Sequence, residues 1–203
     1  MTPVHPVNWL IHSTRSDGLV RLHNHGSEDV RYDPYYTRLA YSTVTRPSPS
    51  YDNSVIVDGD PSRTDIVPLG VGEGWVASRH RAAGGARVTS VVLARGAVEV
   101  RAFLVSGAPE GTSVRITGWA AKNGARAELL PVVGLNDELT GSTTDDTLFV
   151  ALARLTGDPD PVPLADSATV HLDGAGELTV RWSDGTETRA RLDDGAVDVS
   201  VGA

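Results

Sequence analysis

The chain has 203 residues, of which 40% are hydrophobic and 22% charged, and it contains no cysteine. This composition is typical of a globular protein, and the lack of cysteine excludes disulfides, thiolate metal sites and a cysteine nucleophile. The formal net charge of -8 argues against nucleic acid as a partner, because phosphate binding requires a basic face. No apolar run approaches the roughly 20 residues that span a bilayer, so no membrane partner is predicted. The start, residues 1–6, shows no signal peptide, which favours a cytoplasmic location.

Turn and strand signals recur along the chain. Asp-Gly pairs supply the positive φ angles of tight hairpin turns, and they stand at Asp17-Gly18, Asp58-Gly59, Asp173-Gly174, Asp184-Gly185 and Asp194-Gly195. Alternating or β-branched segments predict strands at 19–25, 36–44, 75–81, 87–94, 98–105, 114–121, 170–172, 178–182 and 186–192. Short strands at this spacing predict an all-β fold, an antiparallel β-sandwich of two packed sheets.

Other segments are less regular. Residues 147–155 fit either a strand or a short helix. Two proline-rich stretches, 46–54 and 157–163, predict loops. The second loop divides the chain into a main sandwich, residues 1–156, and a C-terminal β-hairpin extension, residues 157–203, which we expect to pack on the same domain. The glycine-rich stretch 70–74 lacks the Lys-Ser/Thr of a phosphate loop and predicts a turn before Trp75.

Polar side chains concentrate in the segment LVRLHNHGSEDVRYDPYYTRLAYST, residues 19–43. Side chains alternate across a strand, so His23 and His25 share one face. On the following strand Tyr36 and Arg38 also share a face. If the two strands pair with these faces aligned, the four side chains form one patch. The loop between the strands then places Glu28, Asp29 or Asp33 near its rim.

Three kinds of chemistry fit this patch. His23, His25 and Asp29 could together ligate a divalent metal such as zinc. His23, His25 and Tyr36 could transfer protons, and Arg38 could neutralise a substrate carboxylate, which makes these four the candidate catalytic residues. The same side chains could equally form a hydrogen-bonded structural cluster or an interface.

The run RLHNHGSEDVRYDPYYTRLAYSTVTRP resembles the entry to the C-terminal domain of an uncharacterised bacterial family, domain-of-unknown-function family 2264. Members join an N-terminal α/α-toroid to a C-terminal β-sandwich, an architecture similar to that of heparinase II/III-type polysaccharide lyases. The resemblance implies a toroid partner, an acidic oligosaccharide as substrate, and His23 and His25 in the shared cleft, where some lyases hold zinc. It implies proton transfer for Tyr36 and a carboxylate clamp for Arg38.

The sequence departs from the lyase pattern at Ser27, which replaces the acid often found two residues after the second histidine. Two functions are therefore considered. The chain is either the β-sandwich domain of a polysaccharide lyase-like or glycoside hydrolase enzyme, or a non-catalytic accessory domain for glycan binding or domain packing. We expect the chain alone to show no lyase or hydrolase activity, because its length leaves no room for a layer of helices.

The tryptophans bear on this choice, because an exposed row suits sugar stacking whereas buried ones belong to the core. They are Trp9, Trp75, Trp119 and Trp182. Trp182 alternates with Leu178 and Val180, which predicts a core position.

Overall fold

The computed structural model describes residues 55–60, 64–72, 74–95, 98–116, 127–155 and 163–202. These ranges form strands β1 Val55–Val57, β2 Thr64–Gly72, β3 Trp75–Arg81, β4 Arg87–Arg95, β5 Val98–Ser106, β6 Ser113–Ile116, β7 Ala127–Val133, β8 Thr140–Ser142, β9 Thr147–Leu155, β10 Ala168–Leu172, β11 Glu177–Trp182, β12 Glu187–Asp193 and β13 Ala196–Gly202. A 3-10 turn, Ala83–Gly85, joins β3 to β4, and one short helix, α1 (Leu164–Ser167), precedes β10.

The strands form three antiparallel sheets. A six-stranded sheet has the order β2-β3-β4-β5-β9-β7, a three-stranded sheet the order β1-β6-β8, and a four-stranded sheet the order β10-β11-β12-β13. The predicted all-β antiparallel sandwich fold is therefore confirmed, but the described residues form three sheets instead of the predicted two, with the six-stranded sheet as the middle layer.

Two hydrophobic cores cover the two faces of this middle sheet. On one face Val100 and Ala102 pack against residues of the four-stranded sheet such as Val180. On the other face Phe103 and Val105 pack against the three-stranded sheet. Because β5 is buried on both faces, its second half is a continuous apolar run from Ala102 to Val105, without the alternation of a surface strand.

Several predicted strands are confirmed. β3 has the predicted bounds, and β4 and β5 each extend one residue further than predicted. β10, β11 and β12 fall within one or two residues of the predicted ends. The first part of the predicted strand 114–121 is β6, and its remainder lies outside the described residues, as do the predicted strands 19–25 and 36–44.

The ambiguous segment 147–155 is a strand, β9, and not a helix. β9 pairs with β5 on one side and β7 on the other. Phe149 and Ala151 lie in one core while Val150 and Leu152 lie in the other. The apolar side chains of β9 therefore point to two opposite faces of the sheet, and their helix-like spacing does not reflect a helix. The short helix lies instead just after the second proline-rich stretch.

The predicted turn at 70–74 is wrong for Gly70 and Gly72, which belong to β2 and pair with β3. Their role is steric. A Cβ on Gly70 would lie 2.7 Å from the Trp75 ring, and one on Gly72 would lie 2.1 Å from its Nε1 atom. The glycines leave room for the indole to lie across the neighbouring strand, which a sequence pattern of turn residues does not reveal.

Residues 163–202 pack on the middle sheet through the inner face of β10 to β13. Trp182 is 5% exposed, as predicted from its alternation, and its indole N–H donates to Thr188 Oγ1 at 3.0 Å. Two hairpin turns of this sheet also hold the ends of β4: Arg87 pairs with Asp194, and Arg95 Nε donates to Asp184 Oδ2 at 2.7 Å.

Candidate functional site

The site residues predicted from the sequence lie outside the described residues. They are the candidate catalytic residues His23, His25, Tyr36 and Arg38 and the candidate metal ligands His23, His25 and Asp29. Trp9 and Trp119 lie outside as well, whereas Trp75 is half-buried against the core. The shared patch, the metal site and the row of tryptophans therefore stay predictions.

The described residues contain a polar cavity of about 420 Å³, which we call the arginine cavity. It is lined by Asp65, Arg79, His80, Arg81, Arg87 and Asp194. The cavity lies where β3 ends and β4 begins, and the turn between β12 and β13 covers one side. It is thus built from two layers of the sandwich.

Strand geometry brings the three arginines together. Arg79 and Arg81 are two residues apart on β3, so their side chains share a face. Ala77 on the same face is buried in the core beneath the four-stranded sheet, which shows that this face points toward that sheet. Arg87 is the cross-strand partner of Arg81 in the β3–β4 ladder. Cross-strand neighbours on one face lie close enough for their side chains to interact.

The carboxylates reach the cavity from opposite sides. Asp194 accepts two contacts from Arg87, Nε to Oδ1 at 2.7 Å and Nη2 to Oδ2 at 2.5 Å. Asp65 lies 3.1 Å from Arg81 Nε. Asp65 stands at an irregularity in the β2–β3 register and has a φ of 51°, a left-handed conformation that Asp tolerates better than most residues. Such bulges redirect a side chain and are frequent beside functional sites.

Arg79 differs from its two neighbours. Across the described ranges its guanidinium has neither a hydrogen bond nor an ion pair. With three guanidinium groups, two carboxylates and His80 counted as neutral, the described residues that line the cavity carry one net positive charge. This is a local reversal of sign in a protein whose formal net charge is -8.

The turn above the cavity is fixed by its own contacts. Gly195 has a φ of 88°, and its backbone N–H donates to Thr89 Oγ1 at 3.1 Å. A Cβ at Gly195 would lie 2.7 Å from Arg79 Nη1, so only glycine leaves the guanidinium in its place. The half-exposed Arg87–Asp194 pair adds about 0.2–1 kcal/mol to this anchoring.

A second charged group lies on the opposite face of the middle sheet. Glu99 and Arg101 are two residues apart on β5, and both side chains are 0% exposed. Arg101 donates to Glu99 Oε2 from Nε at 3.1 Å and from Nη2 at 3.0 Å, and both residues make further interactions beyond this pair. Complete burial separates this pair from any ligand in solution, so we assign it a structural role.

The shifted carboxyl groups lie on the four-stranded sheet. Hydrogen bonds from the side chain and backbone of Thr186, together with Arg95, lower the pKa of Asp184 to about 2. Arg189 and Arg181 lower the pKa of Glu187 through hydrogen bonds across the outer face of this sheet. These acids are held ionised on an exposed surface, which is typical of a solvated face.

Two further properties concern metal and membrane. Within the part of the chain that the structure describes, no group of three or more His, Asp or Glu side chains is arranged to hold a metal ion. The metal ligands predicted from sequence lie outside that part. Among the described elements, no helix has the length and apolar character needed to cross a bilayer.

The arginine cavity was not predicted from the sequence, although two signals pointed to parts of it. The Arg-x-Arg spacing of Arg79 and Arg81 places both on one strand face, and Asp194-Gly195 is one of the predicted hairpin turns. Their meeting depends on packing between residues more than 100 positions apart, as between Arg87 and Asp194.

Comparison with known proteins gives no relative: no protein-family model, no curated protein and no solved structure matches this chain.

Proposed function

We propose that this chain is the β-sandwich part of a carbohydrate-active protein and that it binds an acidic glycan without itself performing catalysis. The observation that carries the proposal is the arginine cavity. Its net positive charge and its clustered guanidinium groups suit a carboxylate, because the planar guanidinium fork matches carboxylate oxygens in two parallel hydrogen bonds.

The arrangement of the cavity supports recognition of a side group on a polymer. Its charged rim is open to solvent, since Arg81 and Asp65 are 54% and 70% exposed. A uronic acid unit could therefore present its carboxylate to the cavity while the rest of the glycan stays outside.

Binding to polymers tests this function. In affinity electrophoresis, a gel containing a polyuronate should retard the chain, and a gel containing a neutral polysaccharide of similar length should not. Electrostatic attraction to a local positive site is the physical reason for the difference. Equal migration in the two gels would contradict the proposal.

A second candidate is the catalytic role implied by the family resemblance. It is favoured by the run from His23 to Thr43 and by the all-β sandwich fold, which the resemblance also implies. In this candidate the chain forms a cleft with an N-terminal α/α-toroid. Arg38 neutralises the substrate carboxylate, a histidine or Tyr36 removes the α-proton, and a second acid protonates the leaving oxygen.

The test of this candidate uses the chain joined to a toroid. His23→Ala and Tyr36→Phe should each abolish formation of the unsaturated product while leaving the thermal midpoint nearly unchanged. Metal analysis of the same protein and of a His25→Ala variant checks the predicted zinc. If the histidine variants lose stability instead of turnover, their role is structural.

A further inference from the structure

We propose that Arg79 is the anion-binding residue of the arginine cavity and that the site takes one monoanionic carboxylate, such as that of a uronate. The identity of the ligand rests on the proposed function. The site itself rests on the geometry of the described residues alone.

Among the three guanidinium groups of the cavity, that of Arg79 is the one able to accept a ligand. Arg87 already uses two nitrogens on Asp194, and Arg81 faces Asp65. Arg79 stands beside them with its donors uncommitted among the described residues. A guanidinium carries five N–H donors, so Arg79 can offer a carboxylate a complete fork.

The Arg79 guanidinium lies close to the turn between β12 and β13. Gly195 allows Arg79 Nη1 to approach the turn backbone closely, and the turn is tied to β4 through Thr89 and Arg87. Gly195 therefore leaves room for the Arg79 guanidinium beside a turn whose own position is fixed by Thr89 and Arg87.

The net charge of the cavity favours a ligand with a single negative charge. The cavity carries one net positive charge, so a monoanion makes it neutral whereas a dianion makes it negative. Since Asp65 and Asp194 stay in the cavity, a second negative charge on the ligand would meet repulsion from both carboxylates. The charge count therefore favours a carboxylate over sulfate or phosphate.

The experiment is an NMR titration of the Arg79 Nε–Hε signal with sodium glucuronate, sodium sulfate or neutral methyl glucoside at constant ionic strength. We expect saturable shifts with glucuronate, weaker binding of sulfate, and none with methyl glucoside. In Arg79→Gln, followed through the Gly195 amide, glucuronate affinity should fall about 10- to 100-fold, the range for a lost charge-assisted hydrogen bond. Arg79→Lys should give a smaller loss, because it keeps the charge and loses the fork.

Two variants sharpen the test. Asp194→Asn removes one negative charge from the cavity, so glucuronate affinity should rise about 2- to 10-fold. Arg181→Gln is the matched control, because Arg181 lies on the outer face of the four-stranded sheet with its side chain 74% exposed, and it should leave the affinity unchanged. Thermal melts verify that each variant is folded.

The outcomes separate this inference from the proposed function. If polyuronate retards the chain but Arg79→Gln binds glucuronate normally, Arg79 is not the site and the proposed function stands. If glucuronate binds at Arg79 but polyuronate causes no retardation, the site is supported and the glycan function fails. Sulfate binding as tight as glucuronate would overturn the assignment to a carboxylate. Absence of any shift at Arg79 would overturn the inference.

Discussion

The buried ion pair of β5 gives a sharp test of the structure. Arg101→Met keeps most of the side-chain length but removes the guanidinium, so Glu99 loses two hydrogen bonds in a position that is 0% exposed. Removing one partner of a buried ion pair costs about 3–5 kcal/mol, because the remaining buried charge loses that partner's compensation. The free energy of unfolding of a domain is about 5–15 kcal/mol in total, so this loss is a large fraction of its stability.

The assay is urea denaturation followed by circular dichroism, supported by thermal melts. For a domain of about 200 residues, 1 kcal/mol corresponds to roughly 2–4 °C, so Tm should fall by roughly 6–20 °C. The control is Arg191→Met: Arg191 lies 3.6 Å from Asp193, and the two side chains are 54% and 59% exposed. That variant should lose less than about 1 kcal/mol. A loss below about 1 kcal/mol in Arg101→Met would refute the assignment of a buried, paired charge.

Three further predictions follow from contacts elsewhere in the fold. Because the pKa of Asp184 is lowered from 3.8 to about 2, its carboxylate stabilises the native state above pH 3.8, and this contribution disappears as the pH falls toward 2. The difference in stability between wild type and Asp184→Asn should therefore shrink over that pH range, which denaturation at each pH measures. Gly72→Ala should lower stability by about 1–3 kcal/mol, since its Cβ would meet the Trp75 indole; an unchanged thermal midpoint would argue against the observed indole position. Thr188→Val should cost about 1–3 kcal/mol because it leaves the buried indole N–H of Trp182 without its acceptor, whereas Thr188→Ser keeps the hydroxyl and should recover most of the loss.

The strands predicted from the sequence are mainly those whose residues alternate or carry β-branches. β3, β4, β5 and β11 were placed to within one residue at each end because local pattern and tertiary packing agree there. Five observed strands were not predicted as strands, namely β1, β2, β7, β8 and β13. β2 contains Gly70 and Gly72, whose strand position depends on the indole of Trp75, and such a steric requirement comes from the neighbouring strand rather than from the local sequence.

The arginine cavity also combines features that the sequence predicts with features that it does not. The turn at Asp194-Gly195 was predictable, since Asp-Gly pairs favour positive φ, and Gly195 has a φ of 88°. The shared face of Arg79 and Arg81 follows from alternation alone. What the sequence could not supply is which sheet this face meets, because that depends on how residues 163–202 pack on the middle sheet.

β4 connects the packing of the sandwich to the chemistry of the cavity. Its first residue, Arg87, binds Asp194 of one hairpin turn, and its last residue, Arg95, binds Asp184 of another. The contact between Arg87 and Asp194 holds the β12–β13 turn. It also occupies the Arg87 guanidinium, so Arg79 remains as the donor for a ligand. A ligand carboxylate large enough to reach Arg87 would compete with Asp194 and loosen that turn. Only a ligand that also reaches Arg87 would therefore affect the anchoring of the four-stranded sheet, and a ligand confined to Arg79 should leave the turn in place.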